Sequence, residues 1–279
     1  MLQLTSYNRM LRYLSAVAGS PLTDSKAQKQ MIVNWILTSS KQIEKYLKRE
    51  LSIGNYIEYF NIQSEKDIQF YVKSYPIITL TDVYEDSTGK WDTSESEITD
   101  CIINKDSNGF ILPVNPSILG LKTLRIRYTG GMAYYGVLSV FELSTIVGTL
   151  SVGSFVVGGT SEAVGIIKAI SGTSLTVEIL YGIFEALETL TEYSDEELTT
   201  IGDASAILSS ITKQSLVEQY PDIVRACEIQ VRYYWKHKDD FEISSTQKDG
   251  TNQRYSDNKR SPLTYETRNL LTDYVNNAI

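Results

Sequence analysis

The sequence predicts an α+β fold: a helical core with a small antiparallel β-region, carrying an inserted all-β domain that is barrel or sandwich-like. Three observations lead there. Apolar residues recur at helical spacing near both ends of the chain. Between about Tyr56 and Thr129 the period falls from 3.6 to about two. From about Val137 to Ile211, runs of small β-formers alternate with glycine turns about every ten residues. The expected main body is therefore 1–136 with 212–279, and the expected insert is 137–211.

Residues 5–18 read as a short amphipathic helix with Tyr7, Leu11, Leu14, Val17 and Ala18 on its apolar face. Gly19, Ser20 and Pro21 break it. Thr23, Asp24 and Ser25 offer N-cap oxygens to a second helix over about 26–50. Ile32, Trp35, Ile36, Ile43, Tyr46 and Leu47 mark its buried side, and Lys41, Glu44, Lys45 and Lys48 its wet side.

The β-region that follows contains IEYFNI, IQFYVKSY, ITLTDVYE, ITDCII, GFILP and LRIRYT, each bounded by turn formers. Leu124, Ile126 and Tyr128 alternate with Arg125, Arg127 and Thr129, so one face is buried and the other polar. Residues 87–89 and 107–109 read as hairpin turns, and Tyr75–Pro76 as a strand edge or bend.

In the insert, TLSVGSFVVGG, AVGIIKAISG and TSLTVEILYG read as strands over a core of Val, Ile and Leu. Thr191–Ser210 is acidic and reads as a loop or short helix returning to the main body. Pro221–Phe241 then gives the strongest helix signal of the chain. Ile223, Cys227, Val231, Tyr234 and Trp235 form its apolar face, which is expected to pack on the N-terminal helices and a small sheet. Arg225, Glu228, Arg232 and Lys236 line the other side, Pro221 suits the first turn, and Asp222 suits the helix dipole. After a polar stretch, Leu263 or Tyr265, Leu270, Leu271, Tyr274 and Val275 make one more short amphipathic helix.

Composition narrows the function. The 279 residues carry a formal charge of −8, which argues against a protein that coats DNA through a basic face. It does not forbid brief passage of DNA through a ring, because a mildly negative lumen keeps DNA from sticking. Two cysteines, Cys101 and Cys227, read as buried free thiols in a reducing compartment. No signal peptide and no membrane-length apolar run is evident.

Nor does a catalytic site emerge. The single histidine, His237, lies among Lys236, Lys238, Asp239 and Asp240 with no nucleophile at a recognisable spacing, and reads as a surface residue. One histidine and two distant cysteines make no zinc site, so no metal, cofactor or catalytic residue is expected. GGTSEAVG, residues 158–165, lacks the lysine of a phosphate loop and reads as a turn between strands. Asp195, Glu196 and Glu197 read as a solvated loop rather than a cation site. Arg125 and Arg127 suit phosphates or an acidic partner, but cross-strand pairing with Asp or Glu on the wet face is the stronger reading. Arg254, Lys259, Arg260 and Arg268 give the C-terminal part a basic bias.

Four stretches in order carry a resemblance. They are IEKYLKRE (43–50), YPIITLTDVYE (75–85) with Trp91 after it, IRYTGGM (126–132) and YPDIVRACEIQVRYYWKHKDDF (220–241). Together the order resembles the head–tail connector (adaptor) proteins of tailed bacteriophages, over about 1–136 and 213–279. The 137–211 insert departs from the family, in which a short loop joins the Y-T-G-G strand to the closing helix.

The resemblance implies a helical adaptor core and a structural, non-enzymatic role in the virion neck, with assembly in the host cytoplasm. It implies a homo-oligomeric ring, usually dodecameric, under the portal protein. That ring extends the channel for genomic DNA, without sequence-specific binding, and offers a platform to stopper or tail proteins. The family's C-terminal arm docks on the portal. Carried to this chain, the arm is 242–279, with Arg268, Leu271 and Tyr274 as contacts. Two alternatives remain open at this stage. One is another tail or baseplate component. The other is a host carbohydrate-binding protein using the β-insert, whose only Tyr residues are Tyr181 and Tyr193 and which has no Trp.

Overall fold

The structure is a computed structural model. It describes residues 2–18, 25–64, 68–91, 95–104, 109–113, 119–134, 136–196, 198–237 and 262–275. The chain divides into two compact units. One contains Met1–Leu47 and Tyr135–Val275, and the other is built on Lys48–Tyr134.

The first unit opens with helices α1 (Tyr7–Ala18) and α2 (Lys26–Leu47). Each begins at a serine whose hydroxyl accepts from the backbone three residues on. Ser6 Oγ takes the Arg9 N–H and Ser25 Oγ takes the Gln28 N–H, both at 3.2 Å. The buried positions of α2 are Ile32, Ile36, Ser39, Ser40, Ile43 and Leu47, a stripe at helical spacing.

The second unit is antiparallel. Strands β1 (Gly54–Ile62), β2 (Gln69–Tyr71), β3 (Ile77–Asp86), β4 (Glu95–Glu97), β5 (Ile102–Asn104), β6 (Gly109–Ile111) and β7 (Gly120–Gly130) form two sheets. The larger has the order β1-β7-β3-β4 and the smaller β2-β6-β5. Alternation decides which way each residue of β7 faces: Leu124, Ile126 and Tyr128 are buried while Arg127 is exposed. Their core continues through Ile62, Phe70, Val83 and Phe110, with Phe70 and Phe110 stacked at 5.5 Å.

Back in the first unit, β8 (Leu138–Val147), β9 (Phe155–Gly158), β10 (Val164–Ser171), β11 (Ser174–Tyr181), β12 (Thr189–Tyr193) and β13 (Ile201–Lys213) close into a barrel. Its strand order is β10-β11-β8-β13-β12-β9, and every pairing is antiparallel. Val156, Ile167, Leu175, Val177, Leu190 and Leu208 fill it, with Phe141 set edge-on to Phe184 at 5.1 Å. Closure leaves no open sheet edge.

Helices α3 (Leu216–Gln219), α4 (Pro221–Lys236) and α5 (Tyr265–Leu270), then a 3-10 turn at Thr272–Tyr274, complete the chain. Ser215 and Glu218 form a capping box at α3. Pro221 occupies the first turn of α4, which packs against α2, α1 and α5.

Three expectations are corrected. The helical adaptor core does not hold: strand accounts for 41% of the described residues and helix for 28%, over several sheets and a six-stranded barrel. The cause is that period-two patterning runs further than expected. β7 reaches eleven residues, and β8 and β13 are long strands at the two ends of the glycine-rich stretch. Second, Thr191–Ser210 is not a loop or short helix but most of a hairpin. Ala204, Ala206 and Leu208 alternate inward along β13, so the apolar period overrides the acidic composition. Third, α4 is buried on more than one side: Glu228 and Gln230 lie in its buried stretch, Glu228 having been expected on the wet side.

Candidate interaction surfaces

Among the described residues no group of three or more His, Cys, Asp or Glu is placed to hold a metal ion. No described helix is long and apolar enough to cross a membrane. His237 ends α4 with its ring 4.6 Å from that of Tyr233. Cys101 and Cys227 are free. Burial pushes the Cys227 thiol up to about 12, and burial with the nearby Asp100 charge pushes Cys101 up to about 11. Neither is the low-pKa thiolate that nucleophilic chemistry needs.

The glycine-rich loop between β9 and β10 holds an anion of the chain's own. The Glu188 carboxylate, 4% exposed, accepts from the Thr160 and Ser161 amides at 3.2 and 3.0 Å. It also takes the Ser161 hydroxyl and the Glu185 amide. The donors that a phosphate would use are therefore engaged. Gly158 leaves room for this carboxylate, because a Cβ there would lie 2.5 Å from Glu188 Oε2 and displace it. The acidic turn between β12 and β13 is equally self-contained. Asp195 accepts from Thr199 and Thr200, and these bonds, the Thr199 hydroxyl foremost, hold its carboxyl below the usual range. Glu196 accepts from Arg12 of α1 at 3.0 Å. Glu197 lies outside the described residues.

Helix α1 is tied to the barrel by polar side chains. Arg9 donates to the Leu180 carbonyl at 2.6 Å and to the buried Glu228 of α4 at 2.5 Å. Asn8 donates to Glu178, which also pairs with Lys168 at 2.7 Å.

In the second unit, Arg125 and Arg127 are cross-strand partners of acids, the stronger of the two sequence readings. Arg127 faces Asp82 in register across β7 and β3 and donates to it at 2.8 Å. Arg125 reaches Glu95 of β4 with two parallel bonds at 3.1 and 2.7 Å. Its guanidinium lies over the Trp91 and Tyr84 rings at 4.8 and 5.0 Å. Neither arginine is a free cation waiting for phosphate.

Two of the motifs that carry the resemblance meet in this unit. Tyr75–Pro76, a cis peptide, leads into β3. Gly131, just after β7, donates its N–H to the Pro76 carbonyl at 3.1 Å. Tyr128 donates to Glu58 at 2.5 Å and accepts from the Ser74 amide at 3.2 Å. Burial and then the Glu58 bond push its phenol far above the usual tyrosine range. Both glycines are dictated by backbone proximity: a Cβ would stand 2.3 Å from the Ser74 oxygen at Gly130 and 2.3 Å from the Ser52 oxygen at Gly131. Gly131 also sits at φ +117°.

No known family model matches the chain. No curated protein matches it either.

The expected portal contacts lie on the C-terminal segment, which packs on α4. Leu271 is fully buried within its own chain. Arg268 is half-buried, with its Nε buried and without a hydrogen-bond partner. Tyr274 is half-buried, its hydroxyl 3.5 Å from Asp222 and its ring edge-on to Tyr220 at 6.1 Å. Burial, and then the Asp222 charge, raises its pKa. The rest of the expected arm, 242–261 and 276–279, lies outside the described residues.

Gln230 was not legible from sequence. It is wholly buried on α4, accepts from Thr264 N–H at 3.0 Å and Thr267 Oγ1 at 3.3 Å, and donates to the Pro262 carbonyl at 3.3 Å. The available signal was its position between Ile229 and Val231 in the most apolar part of the helix.

Proposed function

We propose that this chain is a structural virion protein of a tailed bacteriophage. In this reading it forms a ring under the portal, joins capsid to tail and extends the DNA channel, with no enzymatic role. The observation that carries the reading is the order of the four motifs along the sequence. Three of them take part in contacts that suit the reading. The Y-P step and the Y-T-G-G strand interlock through Gly131 and Pro76, and the Y-P-D-I-V helix carries the terminal segment. The reading rests on those motifs and not on a helical core, which this chain lacks.

On the portal side the proposal assigns contacts to Arg268 and Tyr274, whose side chains are half-buried. Leu271, covered by its own chain, joins them only if the segment moves off α4. The acidic charge suits a lumen that DNA crosses without binding.

The test is the copy number of this chain relative to the portal protein in purified, DNA-filled particles. A one-to-one ratio is expected. A ratio far from one, or absence from the particle, overturns the neck assignment and turns attention to a tail or baseplate position.

A further inference from the structure

The contact between α4 and the C-terminal segment is built in an unusual way for a simple chain end. Its centre is polar and fully buried. Gln230 has both its amide oxygen and its amide nitrogen engaged by Pro262, Thr264 and Thr267. Leu263, Thr267 and Leu271, each at most 3% exposed, cover it. An empty groove would leave a buried amide unpaired, which is costly. The groove therefore requires an occupant with this pattern of donors and acceptors. The occupant in turn depends on the groove, because a helix of six residues does not hold in water by itself.

Nothing in that contact requires the two sides to belong to one chain. Gln230 lies only roughly 9 Å along the helix from Lys236, where α4 ends. A connection of a few residues is the common length between packed helices. Here residues 238–261 intervene, a contour of up to roughly 80 Å. That length far exceeds what folding back onto α4 demands, and it suffices to reach the same groove on an adjacent copy. Exchange of the segment keeps every hydrogen bond and every buried leucine, and changes only the path of the connection.

We propose that in the assembled protein the α4 groove around Gln230 is filled by Leu263–Tyr274 of a second copy of this chain. The exchanged segment is then a bond between neighbours. This inference rests on the reading of the chain as one that assembles with itself.

The experiment uses the full chain with a benzophenone amino acid in place of Tyr265, which is 73% exposed and borders the contact. After irradiation under native conditions, a denaturing gel separates the outcomes. Covalent dimers are expected, with digestion showing the link between the 262–275 segment and α4. Cross-linked monomers alone overturn the exchange. Dimers linked elsewhere overturn it as well. Thr267→Val, a mild change that removes one partner of Gln230, is expected to weaken the α5-to-α4 dimer band. Gln230→Leu is expected to abolish it, with circular dichroism checking that the chain stays folded. Light scattering of the same sample keeps the two readings apart. An assembled species giving only cross-linked monomers sinks the exchange and leaves the ring intact. A monomer sinks the exchange and returns the ring reading to the particle stoichiometry.

Discussion

The six-stranded barrel and the four-stranded sheet both bury a Val-, Ile- and Leu-rich face, but they differ in how their edges are closed and where their ion pairs lie. In the barrel the strands pair all the way round, so no ladder is left open. Two of its carboxylates are buried, Glu188 just before β12 and Glu192 within it, each 4% exposed, and they hold backbone amides of neighbouring turns. The sheet is open at β1 and β4; it also buries Glu85 and Asp86 of β3, and its β7 arginines pair across strands, Arg127 with Asp82 and Arg125 with Glu95. Both use buried carboxylates to hold turns, Glu188 and Glu192 in the barrel and Asp86 in the sheet, and the sheet adds cross-strand ion pairs and close backbone approach at Gly130 and Gly131.

The largest effect is expected from removing the barrel. Bridging Gly136 to Thr212 is expected to leave a remainder that still unfolds in one cooperative denaturant transition. Its midpoint should be lower, because Asn8, Arg9 and Arg12 lose Glu178, the Leu180 carbonyl and Glu196. A broad, non-cooperative transition would mean that the barrel is not separable. Next comes the sheet's glycine node. Gly131→Ala places a side chain at φ +117° against the Ser52 oxygen and is expected to cost about 3 kcal/mol or more in chemical denaturation. A loss under about 1 kcal/mol would show that close approach is not what holds this end of β7.

Glu188→Ala tests the barrel by the same method. It strips the Thr160, Ser161 and Glu185 amides and the Ser161 hydroxyl of their acceptor in a buried loop. About 2–3 kcal/mol is expected, set by the donors left unpaired. Removing Asp195, whose bonds lie in an exposed turn, is expected to do far less.

Raising the pH separates burial from pairing. The Cys227 and Cys101 thiols are pushed up to about 12 and about 11 from 9.0, and the unfolded chain ionises first. The stability these two thiols contribute is therefore fully present below pH 9 and is lost as pH climbs from about 9 towards 12. Urea midpoints across this range should drop in the parent and drop less in Cys227→Ala. Equal slopes in the two proteins would exclude Cys227 as the source.

Part of this architecture could be read from residue order; the helical core could not, because period-two patterning extends further than expected, and the other failures come from reading charge before position. The β7 alternation, the glycine-turned strands β9 to β11 and the α4 stripe were legible because one period dominated each. The β13 strand was missed because acidic residues in the preceding turn coloured the whole stretch, although Ala204, Ala206 and Leu208 kept a period of two. Glu228 was assigned to water because charge outweighed position, while its Arg9 partner lies 219 residues away in sequence. Gln230 and Glu188 belong to the same class. A buried polar residue is chosen for a partner brought by tertiary folding, and a single sequence carries no mark of that partner.

The two arginines of β7 give the finest comparison. Both face the same side of the sheet and both pair with an acid, so sequence treats them alike. Arg125 is 14% exposed, makes two parallel bonds and lies over two aromatic rings. Arg127 is 46% exposed and, among the described residues, bonds Asp82 alone. Arg125→Ala removes a stacked, largely desolvated fork and is expected to cost about 1–2 kcal/mol. Arg127→Ala removes a hydrated pair, so its urea midpoint should stay close to the parent's, and added salt should erase what difference remains. If Arg127→Ala proved the costlier, the outward face would owe its stability to the register of charges across β3 and β7. The aromatic support beneath Arg125 would then be incidental.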